Sequence, residues 1–209
     1  MIFTFEGLPY SGRSTQINNV QDLLNKKARV LKFTEPGWNN ETSLVLKSLI
    51  EAPQFTDTEK LFLYLADRAG LYQRNLTRLY REAKMMGDTV PPIVLAKNGP
   101  DSTVAYQGFG KNIAPIQFLV EANNITTRGV MPTKTFYMDV SVDTVESRMD
   151  ESGLELKPEQ RKFLEDVRAG FLKICEVEER VVYIDAEQKE NEVLEKLSVH
   201  LREVLGSVL

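Results

Sequence analysis

The chain has 209 residues, 42% of them apolar, enough for one well-packed core and too few for two ordinary domains. Thirty acidic against 26 basic residues leave a net charge of −4, which argues against a general nucleic-acid binder. One cysteine, Cys175, excludes a disulfide framework and a cysteine zinc site; one histidine, His200, excludes a histidine-rich metal centre and disfavours a Ser/His/Asp triad.

The first apolar run, Ile2 to Phe5, predicts a buried strand, and a turn rich in Gly, Pro and Ser follows it. Ile17, Val20, Leu23 and Leu24 then recur at helical spacing. Arg29 to Phe33 reads as a second strand and Glu41 to about Ile50 as a helix. A long helix is expected from Thr58 to about Lys84, with Leu61, Tyr64, Leu65, Arg68 and Leu71 near one face. Pro91 and Pro92 open a third strand, Ile93 to Ala96. A helix over Ile113 to Asn123 and a strand over Thr135 to Val140 come next. Helices over Asp143 to Met149 and Pro158 to Ile174 flank a charged loop, and Val181 to Ile184 is the fifth strand. A closing helix, Glu190 to Leu205, carries Leu194, Leu197, Leu201 and Leu205 toward the core and His200 on the surface. Alternating strands and helices define an α/β domain with a mainly parallel sheet, whose ligand crevices lie at the carboxyl ends of the strands. No apolar run reaches membrane-spanning length, and Met1 to Gly7 lacks a basic leader, so the expectation is a cytoplasmic protein without a membrane partner.

Directly after the first strand stands Gly7-Leu8-Pro9-Tyr10-Ser11-Gly12-Arg13-Ser14, the spacing of a P-loop with arginine in place of lysine. Glycines there let several backbone N–H groups face one phosphate, and the following helix adds its dipole. Ser14 is placed to meet a magnesium ion and Thr15 to bond a phosphate oxygen. Arg13 keeps the charge of lysine, but its planar fork is not an equivalent of a compact ammonium.

From here the chain resembles the thymidylate kinases. Phe5-Glu6-Gly7 with the loop and Ser14-Thr15-Gln16 resembles the family's first motif, and Glu35-Pro36-Gly37 its second. Leu65-Ala66-Asp67-Arg68 resembles the helix lining the thymine pocket. Ser102 to Gly108 resembles the segment touching base and sugar, Thr135 to Val140 the fourth strand, and Ile184-Asp185-Ala186 the loop beside the adenine. The resemblance implies a three-layer α/β domain over residues 1–209, with a five-stranded parallel sheet flanked by helices and a lid near 149–160. It implies a homodimer packed through the helices that begin near Thr58 and Ile113. It also implies phosphoryl transfer from ATP, with Mg²⁺, to dTMP. Carried over residue by residue, it assigns Gly7, Ser11, Gly12, Arg13, Ser14, Thr15, Arg148, Lys157, Asp185 and Ala186 to ATP and its phosphates. Tyr64, Arg68, Thr103, Tyr106 and Gln107 go to dTMP and Ser14 to the metal; Arg13 and Lys97, which depart from the family pattern, are the expected catalytic cations. Tyr64 would stack on the base, Arg68 and Thr103 bond it, and Tyr106 sit against the sugar. Arg161 and Lys162 fall in the lid segment.

The departures from the family pattern cluster around the phosphates. Pro9 and Lys97 stand where carboxylates are expected, and Thr34 and Asn98 stand where arginines are expected. Arg13 replaces the loop lysine, Gly99 a tyrosine, and Trp38 a glycine, where it would fill space at the acceptor site or cover the loop. Phosphoryl transfer depends on positioned charge, so losing one such contact typically costs on the order of 10²–10³ in rate. The expectation is therefore a nucleotide-binding protein whose dTMP phosphorylation is strongly weakened or lost, a pseudoenzyme serving an unknown partner, with nucleotide binding that needs little magnesium. The alternative is an active dTMP kinase with rearranged cations at Arg13, Lys97 and Lys157. A P-loop protein acting on another phosphorylated ligand is the third reading.

Overall fold

The structure, a computed structural model, describes residues 1–25, 28–37, 41–88 and 90–206, so Trp38 lies outside the described residues. The first strand, β1 (Ile2–Glu6), is buried at every position, as a strand covered by helices on both faces must be. It pairs in parallel with β3 (Ile93–Lys97) on one side and β4 (Lys134–Asp139) on the other. The outer strands β2 (Val30–Thr34) and β5 (Val181–Asp185) complete the five-stranded parallel sheet, in the order β2-β3-β1-β4-β5. The register aligns Thr34 and Phe5 with Lys97, and Asp139 with Asp185. The residues that follow each strand therefore line one edge of the sheet. The strand order switches direction beside β1, with connections running to one side after β1 and to the other after β4, and the P-loop leaves the sheet at that point, where open α/β sheets form their ligand crevice.

The first helix, α1 (Arg13–Leu24), starts from Gly12, whose backbone is left-handed (φ 82°), and buries Ile17, Val20 and Leu24, leaving Leu23 exposed. The second, α2, is Glu41–Glu51. A capping box, in which Thr56 and Glu59 each bond the other's backbone N–H, opens α3 (Asp57–Gly70). The rod continues through a π-helical stretch, Leu71–Leu76, into α4 (Thr77–Met86), so the long expected helix exists with a wider section inside it. After β3 a short α5 (Pro100–Ser102) leads into a second π-helical stretch, Thr103–Gly110, in a region where the sequence periodicity suggested no helix. Next, α6 (Ile116–Thr127) begins three residues later than expected, because Pro115 caps it and biases Ala114 away from helical backbone. Then α7 (Val142–Asp150), α8 (Pro158–Val177) and α9 (Glu190–Leu205) match their expected positions within a few residues.

The core lies on both faces of the sheet around Phe3, Phe5, Leu95 and Phe136. Tyr137 stacks on Phe171 of α8 at 4.8 Å between ring centroids. The π-helical Thr103–Gly110 packs against α8, where Gly170 lets Phe109 approach so closely that a Cβ would come within 2.7 Å of its ring. His200 bonds Glu203 at the surface (3.3 Å), and Cys175 is a free, half-buried thiol that burial pushes up to about 12. Among the described residues no helix is long and apolar enough to cross a membrane.

Candidate active site

The P-loop closes on itself by backbone constraint. Gly7 has φ 142°, and a Cβ there would lie 2.5 Å from the carbonyl oxygen of Met138. The next strand thus presses against the loop, and only glycine fits. Tyr10 turns through φ 61°, Ser11 N–H donates to the Leu8 carbonyl at 3.3 Å, and Gly12 hands the chain into α1. The loop from Tyr10 to Thr15 and the side chain of Lys97 enclose a cavity of about 280 Å³. The Ser11 hydroxyl is buried at its edge without a hydrogen-bond partner among the described residues, as expected of a donor waiting for a ligand oxygen.

A second cavity, of about 220 Å³, opens between the loop, α3 and the Thr103–Gly110 stretch. It brings together all five residues expected to hold dTMP: Tyr64, Arg68, Thr103, Tyr106 and Gln107. Arg68 is buried, and each of its N–H groups is engaged. Nε donates to Glu35 Oε2 (2.7 Å), and Nη1 donates to Thr103 Oγ1 (2.8 Å) and Asn123 Oδ1 (2.6 Å). Nη2 donates to the Gly99 carbonyl (2.8 Å) and pairs with Glu35 Oε2 (2.6 Å). Arg68 is thus a strut across the pocket floor that also faces its interior. Burial pushes the Glu35 carboxyl above its usual range while Arg68 opposes the shift, and Glu35 Oε1 has no partner among the described residues. The Tyr106 hydroxyl donates to the Gly7 carbonyl (3.0 Å), tying the pocket to the P-loop. Burial pushes that phenol up to about 12.

Arg13 borders both the loop cavity and the second one. Its guanidinium lines the acceptor cavity and donates to Asn98 Oδ1. Asn98 adopts left-handed backbone (φ 65°), which asparagine tolerates, and donates to the Glu35 carbonyl at 2.7 Å. A guanidinium from position 13 thus lies beside position 98, where the family resemblance leads one to expect an arginine. Neither this pairing nor the Glu35–Arg68 ion pair was visible in the order of residues; a cation at 13 with an amide at 98 becomes a signal only once β1 and β3 are known to be neighbours. Under both cavities lies Glu6, fully buried on Ser102, whose N–H and hydroxyl donate to its carboxylate. Burial and the charge of Asp101 raise Glu6 to about 7.

On the other side of the loop, Ser11, Gly12, Thr15, Arg148 and Ala186 border a third cavity of about 150 Å³. Arg148 donates to the Tyr10 carbonyl at 2.6 Å. Asp185 does not line this cavity; it accepts from Glu187 N–H (3.1 Å) and Gln188 Nε2 (3.0 Å) and so shapes the loop that presents Ala186. Lys157 stands exposed at the start of α8, outside the residues lining these cavities. Arg161 and Lys162 are engaged along their own surface, with Asp143 and Glu146, and with Asp166.

A five-stranded parallel sheet in this order, with a P-loop at its switch point and a second cavity facing it, defines a P-loop nucleoside monophosphate kinase fold. The thymidylate kinase family model matches residues 5–197, and the chain belongs to that family. A thymidylate kinase of Chlorobaculum parvum is 30% identical over 94% of this chain and 93% of its own length. One from a Sulfurihydrogenibium species is 32% identical over 87% of each. The crystal structure of thymidylate kinase from Ehrlichia chaffeensis has the same fold, with a TM-score of 0.74 at 23% identity over 96% of this chain and 98% of that one.

Proposed function

We propose that the chain transfers a phosphoryl group from ATP to dTMP, yielding ADP and dTDP. The observation that carries this reading is the position of Arg13, whose guanidinium lies beside Asn98 in the acceptor cavity and restores the charge missing there. In the reaction, an oxygen of the dTMP phosphate bonds to the terminal phosphorus of ATP while the bond from that phosphorus to the bridging oxygen breaks. Catalysis rests on holding the two phosphates in line and on fixed positive charge around the moving group. The loop N–H groups, Ser11 and Thr15 hold the donor phosphates, Arg13 the acceptor phosphate, and Lys97 lies between them. Tyr64 and Gln107 border the base, and Tyr106 sits against the sugar. Arg148 and Ala186 border the adenine, and Lys157 and the segment 149–160 act as a lid.

Magnesium is the family's expected companion of ATP, with Ser14 as the hydroxyl that would reach it. The residues lining the loop cavity and the adjoining one include hydroxyls, an amide and cations but no carboxylate. Among the described residues no group of acidic, histidine or cysteine side chains is gathered to hold a metal. Such a donor set does not fit a protein-held magnesium site, which uses one or two carboxylates. This favours the second reading, a nucleotide-binding protein with strongly weakened transfer.

A coupled assay with dTMP and magnesium ATP decides between the two. Turnover within tenfold of the ordinary range of about 1–100 s⁻¹ supports the kinase, and a rate at least about a thousandfold lower assigns the weakened form. The proposed setting is a cytoplasmic homodimer. Phe62 on α3 and Phe118 and Ile125 on α6 are exposed, and these helices pack side by side, a face suited to a second copy. Light scattering that returns a mass near 23.8 kDa at micromolar concentration would argue against the dimer.

A further inference from the structure

The P-loop cavity does not end at the loop. Lys97 and Ser14 also line a neighbouring cleft of about 240 Å³, bounded by Asn18 of α1 and by Lys32, Phe33 and Thr34 of β2. The two spaces share these walls and run together along the sheet edge. Their charged lining is entirely positive: Arg13 and Lys97 in one, Lys97 and Lys32 in the other. Lys32 donates to Asn18 Oδ1 at 2.8 Å, which holds its ammonium on the wall of the cleft. The carboxylates at this end of the sheet are turned elsewhere. Glu6 faces Ser102, Glu35 pairs with Arg68, and Asp67 Oδ2 accepts from Gly37 N–H at 3.1 Å.

Crowded cations raise one another's energy and stabilise an anion placed among them. Half-buried Lys97 is lowered from its usual range by burial and by Arg13 and Lys47. A divalent cation in the same space would meet these charges with no carboxylate among the lining residues; the nearest, Glu6, lies buried on Ser102 and acts on Arg13 from beneath.

We propose that the cleft around Lys97 is an anion subsite that holds the terminal phosphate of a nucleoside triphosphate without a divalent cation, the Lys97 ammonium standing where a metal would otherwise sit. This rests on the phosphate-loop reading above and adds to it the identity of the counter-charge. The subsite is formed by Lys97 as a point charge, Ser14 and Thr34 as hydroxyl donors, and Lys32 at the far wall. Its binding is electrostatic, so it weakens with added salt.

Calorimetry with ATP, in EDTA and in excess magnesium, tests it. The wild type is expected to bind ATP in EDTA within about threefold of its affinity in magnesium. Lys97→Ala is expected to lose at least tenfold in EDTA, Lys97→Arg to keep most of the affinity, and Lys97→Asp to bind only with magnesium. Thermal melts of each variant identify any that fail to fold, and Lys32→Ala, a surface change, then takes the place of Lys97→Ala with an expected loss of about threefold in EDTA. ATP binding that strengthens tenfold or more with magnesium in the wild type overturns the subsite and leaves the kinase reading standing. ATP binding in neither condition overturns the subsite and the kinase reading together. Magnesium-insensitive binding without dTMP turnover supports the subsite and overturns only the kinase reading.

Discussion

The two ends of the acceptor cavity have been built by different rules. At the base end, Arg68 sits in a closed set of partners, Glu35, Thr103, Asn123 and the Gly99 carbonyl, and no N–H of its guanidinium is left over. At the phosphate end, Arg13, largely buried, and the half-buried Asn98 and Lys97 border open cavities, and Arg13 meets Asn98 across neighbouring strands. A buried charge is costly to leave unpaired, so its neighbours must all stay once one does. A charge at a wet rim keeps its effect when it arrives from a different position, provided that it reaches the same place. On the proposed reading, the motifs expected from the family resemblance are kept at the base end and rewritten at the phosphate end.

The sharpest way to break this contrast is to remove the strut. Arg68→Met should leave the Glu35 carboxylate buried and unpaired, at a cost of roughly 3–5 kcal/mol. In circular-dichroism melts, that is a fall of roughly 6–20 °C, at 2–4 °C per kcal/mol for a chain of this size. A fall under 3 °C would show that the base end is no more closed than the rim.

Glu6 tests the layer beneath both ends. Its folded value near 7 lies above its ordinary 4.5, so between those two values the folded protein keeps a proton that the unfolded chain releases. Stability from this group is present below pH 4.5 and is lost as the pH rises through 7, by up to about 2–3 kcal/mol. Glu6→Gln is neutral throughout. The wild-type melting temperature should therefore fall relative to that of the variant between pH 4.5 and 8, and a constant difference would contradict the assignment.

Arg13→Ala probes the rim in function rather than in stability. The KM for dTMP should rise roughly tenfold to a hundredfold, as expected for a lost charge-assisted contact, while the melting temperature moves by only a few degrees. A KM change confined to ATP would place the Arg13 charge on the donor side instead. The smallest effect is expected on the outer surface. Lys162→Ala breaks an exposed pair with Asp166 and should change stability by less than about 0.5 kcal/mol in urea titrations.

Much of this was legible in the residues. The run Ile2 to Phe5, the spacing from Gly7 to Ser14 and the alternation of strands and helices carried the sheet and the loop, because burial and glycine backbone are local signals. The five residues of the base end could be named because their motifs follow the family's order. What could not be read was where charges meet. Arg13 and Asn98 are far apart in the chain and come together only through the pairing of β1 with β3. The Thr103–Gly110 helix also escaped, because a π-helical stretch does not repeat its apolar positions at the α-helical interval.

That same stretch carries Thr103, Tyr106 and Gln107, three of the five residues expected at the base that line the second cavity. A π-helical turn accommodates one more residue than an α-helical turn for the same advance along the axis. Deleting a single residue between Thr103 and Gly110 would let the segment relax to ordinary helix with its flanks in place, and would change which of the residues inside it face the cavity. Tyr106, whose ring packs on Phe163 and Phe171 of α8, would then lose its reach to the Gly7 carbonyl. The shape of the base pocket therefore depends on a count of residues as much as on their identities, and a substitution-only comparison of this chain with its relatives would not reveal it.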